Sequence, residues 1–474
     1  MKEKQQGVNP FLPSYEYIPD GEPHVFGERL YLFGSHDKFG GEAFCMNDYV
    51  CYSAAESNLR EWRFEGTIYC KKQDPRNSAE KYNMYAPDVV KGTDGKFYLY
   101  YCLEPFPQIA VAVCDEPAGK YEFLGFVKYQ DGTVLGEREG DCIQFDPGIF
   151  IDDDQEIYLF SGNAPRKDTD TALKNSQVMR LKKDMLTLKT EPEALLPSIR
   201  NSVGTGFEGH EFFEASSARK INGVYYLIYS SVNSHELCYA VSEKPDRDYR
   251  YGGTIISIGD IFYNGREAKD ALNYIGNTHG GIECVKGKWY VFYHRQTNRT
   301  QFSRQACAEE IEILNDGEIP QVEMTSCGLN GEPLRSKGQY DAYIACNLRG
   351  KNGARFSHPM ALSDIDPYFT QEGGDREETP NQYIRNMTDG AVAGFKYFDI
   401  KGVNRIGVSV RGNGEGKICV KKTLTGESIG EIEIRAIQEW KEFEGEVRIT
   451  NEVTGLDFEY NGTGYIDFRF FEFI

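Results

Sequence analysis

The amino-acid sequence predicts an all-β protein, a five-bladed β-propeller followed by a jelly-roll-like β-sandwich. Its composition is typical of many short strands joined by turns, with 13% aromatic residues, 31 of them Tyr and 29 Phe, and 49 Gly. An aromatic strand pattern recurs five times in the first 310 residues. A different pattern of short alternating strands follows it.

The repeat is a tight turn followed by a strand rich in aromatic residues. Its five copies are FGERLYLFGS (26–35), DGKFYLYYC (94–102), DQEIYLFSG (154–162), NGVYYLIYSS (222–231) and KGKWYVFYHR (286–295). They align on Tyr31, Tyr98, Tyr158, Tyr226 and Tyr290, which are 67, 60, 68 and 64 residues apart. A period of this length holds four short strands with their loops, which is one propeller blade.

Aromatic strands after turns also occur in other all-β folds, so a different β architecture stays open at this point. Helix-period patterns are scarce between the copies, which argues against a β/α barrel. The near-even spacing of five copies favours five blades.

Past residue 315 the period stops. Residues 316–335 are rich in Gly, Pro and polar residues and are typical of a linker, or of a loop that lies over the propeller. Short strands are then predicted at ARFSHP, AGFKYFDI, RIGVSVRG, GKICVKK, GEIEIR and GYIDFRFFEF. We therefore expect a propeller over residues 1–315, a linker over 316–335 and a β-sandwich over 336–474.

Charge and composition exclude several classes of function. The 474 residues carry 53 basic and 73 acidic groups, a net charge of −20, which would repel a nucleic acid and otherwise favours solubility. No run of 18 apolar residues predicts a membrane span, and residues 1–20 hold no apolar core of a signal peptide. We expect a cytoplasmic protein, or a secreted one if a leader has been removed. The oligomeric state stays open.

The 12 cysteines are widely spaced and form no C-x-x-C motif. We expect reduced core residues rather than disulfides or a zinc site.

A polar residue precedes each aligned Tyr by 10–12 positions. These residues are Asp20, Asp88, Asp146, Glu214 and His279. Because the first strand of every propeller blade lines the central channel, a constant offset predicts that these side chains converge at one mouth of the channel.

Converging carboxylates repel one another and shift each other's pKa. One acid can then stay protonated while its neighbour is ionised, which is the division of labour in a glycosidase. The same ring could instead hold a structural calcium ion, because carboxylates are hard oxygen ligands.

Local sequence leaves other interpretations open for single residues. Asp20, Asp88 and Asp146 each adjoin a Pro and could be turn formers. Glu214 lies in the aromatic and small-residue stretch FFEASS, where partial desolvation would raise its pKa as a general acid requires. His279 could be a metal ligand, a substrate contact or a core histidine.

Five stretches together resemble glycoside hydrolase family 43. They are NPFLPSYEYIPDGEPHVFGERLYLFGSHD, MYAPDVVKGTDGKFYLYY, FDPGIFIDDDQEIYLF, FFEASSARKINGVYYLIYSS and NTHGGIECVKGKWYVFYHR. The resemblance covers all five repeats in order. It implies a five-bladed propeller with the activity of an inverting α-L-arabinofuranosidase, β-xylosidase or arabinanase.

The resemblance also implies roles for single residues. Asp20 would be the general base that activates water, Glu214 the general acid, and Asp146 the group that orients this acid and tunes its pKa. No cofactor would be required for the chemistry.

The resemblance implies more peripheral roles for three further residues. Asp88 would line the site and contact sugar or water, and Arg295 would contact substrate. His279 matches a position that helps to hold a central calcium ion in the family.

The sequence departs from the family motifs at two places, and the second departure narrows the expected substrate. Pro19-Asp20-Gly21 replaces the usual P-D-P, and Glu214-Ala215-Ser216 replaces the frequent E-G-P. The second change resembles the branch that removes arabinose side chains. We therefore expect release of terminal α-L-arabinofuranose from arabinoxylan or arabino-oligosaccharides. A β-xylosidase and a non-catalytic glycan-binding propeller are the alternatives.

The C-terminal part resembles, more loosely, a family 6-type carbohydrate-binding module. Such modules stack sugars on exposed aromatic rings, and Trp440 is the only Trp in this part. The sequence leaves open whether the domain binds sugar or braces the propeller.

Overall fold

The computed structural model describes residues 6–167, 169, 175–377 and 381–474, so residues 1–5 of the predicted propeller domain lie outside the description. Strands dominate this described part and confirm the all-β class. Its helices are single 3₁₀ turns at Lys71–Gln73, Pro75–Asn77, Ile258–Asp260, Tyr263–Gly265, Ala268–Asp270, Gly328–Asn330 and Ala342–Ile344. None of the described helices is long and apolar enough to cross a membrane.

Five small antiparallel sheets follow one another along the chain, as the repeat predicts. Blade 1 contains β1 (Glu22–Phe26), β2 (Arg29–Phe33), β3 (Tyr49–Ala55) and β4 (Asn58–Tyr69). Blade 2 contains β5 (Met84–Lys91), β6 (Phe97–Leu103), β7 (Ile109–Cys114) and β8 (Glu122–Phe126). Blade 3 contains β9 (Gly148–Ile151), β10 (Ile157–Ser161), β11 (Gln177–Leu181) and β12 (Glu193–Ala194).

The last two blades complete the ring. Blade 4 contains β13 (Phe212–Ile221), β14 (Val224–Ser231), β15 (Glu236–Ser242) and β16 (Arg250–Ser257). Blade 5 contains β17 (Ile282–Val285), β18 (Lys288–Gln296) and β19 (Arg304–Ile311). First strands contact each other between neighbouring blades, β1 with β5 and β17, and β9 with β5 and β13. These contacts place the first strands at the centre of the propeller.

The five aligned tyrosines all lie in the second strand of their blade. A residue with positive φ makes the turn before each of these strands. These residues are Gly27, Gly95, Gln155, Gly223 and Gly287. Blade 3 therefore places a Gln in the left-handed conformation that the other four turns give to Gly.

Blade 5 has three strands, and the N-terminal segment covers its outer edge. The Asn9 side chain donates to the Ala308 carbonyl (2.9 Å) and accepts from the Ala308 amide (3.1 Å). The Phe11 amide donates to the Ala306 carbonyl. One side-chain amide thus pairs with β19 as the backbone of a fourth strand would.

Residues 316–335, the expected linker, pack against the propeller for most of their length. Val322 pairs with Ile256 of blade 4, and Ile319 and Met324 join an apolar cluster of blades 4 and 5. The segment ends in β20 (Leu334–Arg335), which pairs with a sandwich strand.

Two sheets form the C-terminal sandwich, the first mixed through one parallel pair of strands and the second antiparallel throughout its described strands. The first contains β20, β22 (Asn347–Arg349), β25 (Ala391–Asp399), β27 (Glu415–Lys421), β28 (Ser428–Ile434) and β30 (Val453–Thr463). The second contains β21 (Gly338–Asp341), β23 (Tyr368–Glu372), β24 (Asn381–Thr388), β26 (Arg405–Gly412), β29 (Ile437–Glu446) and β31 (Tyr465–Phe473). Their facing sides enclose a large apolar core.

One predicted strand is wrong. ARFSHP forms no strand, and its Phe356 makes only an isolated parallel bridge to Ile275 of the propeller. Its alternation reflects docking between the domains. The same docking inserts Ile261, Ala271 and Tyr274 of the propeller into the sandwich core.

Candidate active site

A cleft of about 260 Å³ opens over the channel, and four of the six residues that the sequence singles out line it. Its described lining consists of Asp20, Phe44, Tyr85, Phe145, Asp146, Arg166, Phe213, Glu214, Asn277, His279, Gln301 and Arg304. The structure therefore brings Asp20, Asp146, Glu214 and His279 together. Asp88 and Arg295 do not belong to this described lining.

The register of the inner strands explains this division. The aligned tyrosines pair with His24, Val90, Phe150, Arg219 and Glu283. Asp20, Asp146 and His279 each lie four residues before the partner in their own blade. We call the five positions four residues before a partner (20, 86, 146, 215 and 279) the cleft ring.

Glu214 enters the cleft through a bulge. It lies five residues before Arg219, and the ladder of β13 shifts register on both sides of it. Tyr85, five residues before Val90, lines the cleft next to a similar shift in β5. An extra residue in a bulged strand re-aims its neighbour, which brings both side chains over the channel.

The backbone is strained at three of the five positions of the cleft ring. Asp20 has φ = 56°, Asp146 has φ = 45° and Ala215 has φ = 65°. Residues with a Cβ avoid this left-handed region, and such conformations cluster at functional sites.

Asp20 is buried and paired with the guanidinium of Arg304. Its Oδ1 accepts a hydrogen bond from Arg304 Nη1 at 2.9 Å and lies 3.5 Å from His294 Nδ1. Burial alone would raise the pKa of Asp20, but the charge of Arg304, aided by His294 and His279, brings it below its ordinary value. Asp20 is therefore ionised at neutral pH, as a general base must be.

Arg304 and Asp37 are functional residues that the sequence reasoning missed. Arg304 is fully buried, and Asp37 binds it in a fork through Nε (2.8 Å) and Nη2 (3.0 Å). Asp37 also accepts from the Cys45 amide. The S-H-D sequence after the first repeat was the available signal for Asp37. Arg304 lies outside every repeat and has no such signal.

Glu214 and Asp146 form the acidic side of the cleft. Burial, together with the negative charge of Asp20, raises the pKa of Glu214 to about 7, although Arg166 and Arg304 oppose this rise. Burial and the charges of Glu214 and Asp20 raise the pKa of Asp146 well above its ordinary range. Because the two carboxyl groups titrate together, one proton is retained between them near neutral pH. Asn163 Nδ2 donates to Glu214 Oε2 at 2.9 Å and orients it.

His279 lies beside Asp146, with Nδ1 3.5 Å from Asp146 Oδ2, and burial lowers its pKa. Two buried hydroxyl oxygens next to the cleft ring, Ser216 Oγ and Thr278 Oγ1, have no hydrogen-bond partner among the described residues. Hard oxygen donors of this kind suit a hydrated calcium ion.

Asp88 belongs to a second ring, deeper in the channel. It lies two residues before its partner Val90, at the same register as Glu22, Gly148, Ser217 and Gly281. We call these five positions the deep ring. Asp88 Oδ1 lies 2.7 Å from His24 Nε2, and Oδ2 accepts from the Ile149 amide at 2.7 Å.

The deep ring is packed, and Glu22 is paired with a cation, although burial and the charge of Asp88 still raise the pKa of Glu22. Glu22 Oε1 accepts from Arg219 Nη2 (2.8 Å) and Ser217 Oγ (2.7 Å). A Cβ on Gly281 would approach both Glu22 and Ser217 to 2.7 Å, so a side chain at this position would displace the groups bonded to Glu22. Glu22, His24 and Asp88 are close enough together to hold one metal ion, as are His210, Glu236 and Cys238 in blade 4.

Arg295, the expected substrate contact, lies at the domain interface. It is 2% exposed and donates to the carbonyl oxygens of Tyr343 and Ala345, with its guanidinium 3.9 Å from the centre of the Phe369 ring. Its position at the end of the fifth repeat strand therefore serves domain docking.

Four aromatic rings, those of Phe44, Tyr85, Phe145 and Phe213, form the walls of the cleft. The Arg166 guanidinium lies 3.7 Å above Phe213. Aromatic walls above ionisable groups are typical of a site that binds the apolar face of a sugar and its hydroxyl groups.

A cleft that combines an ionised carboxylate with a carboxyl group of pKa about 7 holds the pair of groups that a glycosidase uses. The chain belongs to glycosyl hydrolase family 43, whose model matches residues 9–319. It is 49% identical to a xylosidase/arabinosidase of Thermoclostridium stercorarium over 471 residues, which covers 99% of each chain. An arabinoxylan arabinofuranohydrolase of Paenibacillus polymyxa is 24% identical over 95% of this chain and 70% of that protein.

Solved structures share the fold. A family 43 arabinoxylan arabinofuranohydrolase from Bacillus subtilis, in complex with cellotetraose, superposes with a TM-score of 0.51 at 19% identity, covering 98% of this chain and 97% of that one. A family 43 β-xylosidase/α-arabinofuranosidase from a compost metagenome, in complex with xylotriose, gives 0.51 at 23% identity over 68% of this chain and 98% of that one. The first likeness extends over both domains.

Proposed function

We propose that this glycosidase releases terminal α-L-arabinofuranose from arabinoxylan or arabino-oligosaccharides by single-step, inverting hydrolysis. The observation that carries the proposal is the pairing, in one small cleft, of Asp20 held ionised by Arg304 with Glu214 at a pKa of about 7. These are the protonation states that a base and an acid need at the same pH.

In the proposed mechanism the proton of Glu214 goes to the leaving glycosidic oxygen as its bond to the anomeric carbon breaks. A water on the opposite face of the sugar attacks that carbon and gives its proton to Asp20. Asp146 and Glu214 share one retained proton, and when Glu214 holds it, the negative charge of Asp146 favours its retention up to neutral pH. The products are the free sugar and the shortened glycan, and both carboxyl groups then exchange protons with water.

The size of the cleft supports removal of terminal units. Its volume, about 260 Å³, is slightly below the ~300–1,000 Å³ of common small-molecule pockets. Such a cavity suits the end of a chain or a side branch better than the interior of a polymer.

A β-xylosidase activity is the second candidate, because the 49% identical relative is named for both sugars. Release of nitrophenol from nitrophenyl arabinofuranoside and nitrophenyl xyloside measures the two activities, and sugar release from arabinoxylan, arabinan and xylo-oligosaccharides ranks the natural substrates. A higher kcat/KM on the xyloside would replace the arabinose proposal, and inactivity on all of them would remove both.

The stereochemistry has a separate test. Proton NMR of the first product formed should show the inverted anomer before mutarotation. Retention of configuration would contradict the roles proposed for Asp20 and Glu214.

We also propose a structural calcium ion beside His279, which the orphaned Ser216 and Thr278 oxygens support. No chemical step depends on it. Chelation followed by calcium addition should lower and then restore the unfolding temperature, and an unchanged temperature would contradict the site.

A further inference from the structure

The loop of residues 38–47 forms one wall of the cleft. It carries Phe44, whose ring lines the cleft and packs edge-on against Phe302 with centroids 4.7 Å apart. The Arg304 guanidinium lies 4.8 Å from the centre of the Phe44 ring. The position of this loop therefore decides where a bound sugar meets an aromatic surface.

The two ends of the loop are held by one carboxylate from the other domain. Asp375 Oδ1 accepts the Phe39 amide at 2.7 Å, and Asp375 Oδ2 accepts Asn47 Nδ2 at 3.0 Å. Phe39 follows the loop's first residue, and Asn47 is its last. Hydrogen bonds to an ionised acceptor are stronger than neutral ones, so a single side chain spans the base of the loop.

The turn that carries Asp375 is itself fixed on the propeller. Gln371 Nε2 donates to the Gly374 carbonyl, and Gln371 Oε1 accepts from Tyr17 OH at 2.6 Å. Arg376 Nη2 lies 2.9 Å from the buried Glu16 Oε1. The sandwich thus presents the carboxylate at a defined place.

Inside the propeller, hydrogen bonds connect the loop to the charged groups of the cleft. The Cys45 amide donates to Asp37 Oδ1, and Asp37 binds the guanidinium that holds Asp20. Asp37 has these further bonds of its own, so displacement of the loop tip affects Phe44 before it affects Asp20. The expected consequence is weaker substrate binding with little change in the chemical step.

We propose that Asp375 of the sandwich domain is a positioning residue of the active site, which fixes the Phe44 wall through the 38–47 loop. The sandwich then contributes to sugar binding from outside the cleft. This inference rests on the proposed function of the cleft.

The test compares Asp375→Ala and Asp375→Asn with wild type on nitrophenyl arabinofuranoside and nitrophenyl xyloside. Asp375→Ala should raise KM by about 3–10-fold with kcat nearly unchanged, and Asp375→Asn, which keeps one acceptor, should raise it less. Thr370→Val is the matched control, because it removes a different hydrogen bond between the domains, Thr370 Oγ1 to Asn298 Oδ1. It should leave KM unchanged.

A double-mutant cycle and amide exchange distinguish positioning from general stability. In a Phe44→Ala background, Asp375→Ala should have no further effect on KM. Hydrogen exchange over residues 38–47 should accelerate in Asp375→Ala at an unchanged unfolding temperature. Unchanged KM and exchange, a selective loss of kcat, or an undiminished effect without Phe44 would each overturn the inference. Amide exchange does not depend on turnover. If the wild type is inactive, the proposed function is refuted, and the exchange measurement still tests the effect of Asp375 on the loop.

Discussion

The propeller channel contains two rings of acidic residues built on the same inner strands, and their electrostatics differ. In the deep ring, Glu22 is paired with Arg219, and Asp88 is hydrogen-bonded to His24 and to a backbone amide. In the cleft ring, Asp20 is paired with Arg304, but Asp146 and the adjacent Glu214 have pKa values above their ordinary range. Burial and the charge of Asp88 also raise the pKa of Glu22, so a raised pKa alone does not separate the two rings. They differ in what surrounds the raised acids: Glu22 is bound directly by a guanidinium inside the packed channel, whereas Asp146 and Glu214 line the open cleft.

The largest expected effect is at the cleft ring. Glu214→Gln keeps the shape of the side chain but removes the proton donor, so kcat/KM on natural glycosides should fall about 10²–10⁴-fold. Nitrophenyl glycosides, whose leaving group needs little protonation, should lose much less. The ratio of the two losses, from initial rates, is the measurement. Equal losses would contradict the general-acid role.

At the deep ring we expect the opposite outcome, a loss of stability with kcat retained. Arg219→Met leaves Glu22 and Asp88 buried without their cation and should lower the free energy of unfolding by about 3–5 kcal/mol, as measured in denaturant. The folded fraction should keep its kcat. Arg63→Met, which removes an exposed partner of Glu65, is the control and should cost less than about 1 kcal/mol. A loss of kcat in folded Arg219→Met would erase the distinction between the rings.

The pH profile sharpens the comparison within the cleft ring. Glu214 must be protonated, so kcat/KM should decline as pH rises through about 7, while the lowered pKa of Asp20 keeps the base ionised well into the acid range. Asp146→Asn removes the like charge beside Glu214 and should move the basic limb to lower pH by about one unit. A basic limb that stays in place would mean that Asp146 does not tune the acid.

The smallest expected effect concerns Asp88. Asp88→Asn loses one of the acceptors used by His24 and the Ile149 amide, so unfolding should become easier by about 1–3 kcal/mol. On both nitrophenyl glycosides kcat/KM should stay within about twofold of wild type. A large rise in KM would restore the substrate contact that the family resemblance implies for this residue.

The repeat was sufficient to predict the propeller, because every blade places an aromatic second strand after a left-handed turn. It also located the polar residues that lie in or just before each inner strand. It could not set their level along the channel. The hairpins of blades 2 and 3 place the aligned Tyr eight residues after its partner, and those of the other blades seven. Asp88 precedes its Tyr by 10 residues and Asp146 by 12, and because the hairpins of blades 2 and 3 are equally long, this difference of two residues places Asp88 one pleat deeper than Asp146.

Sequence reasoning misplaced one residue inside the repeat and missed another outside it. Arg295 ends a repeat strand and was expected at the substrate, but it docks the sandwich. Arg304, one strand later, reaches the cleft because Asp37 and Asp20 from blade 1 fold around it. Contacts of this kind join blades 1 and 5 across almost the whole propeller sequence, and no local pattern encodes them.

The left-handed backbone at Asp20, Asp146 and Ala215 has a consequence for protein design. A sequence chosen only to suit this backbone would place Gly or Asn at such positions, since those residues adopt positive φ at least cost. The natural side chains at 20 and 146 conflict with their local geometry and lie in the cleft. In energy-landscape terms they are sites of local frustration, which selection for folding stability alone would eliminate. Stability optimisation of this enzyme should therefore hold these three positions fixed, because the substitutions that relax the backbone also disrupt the active site.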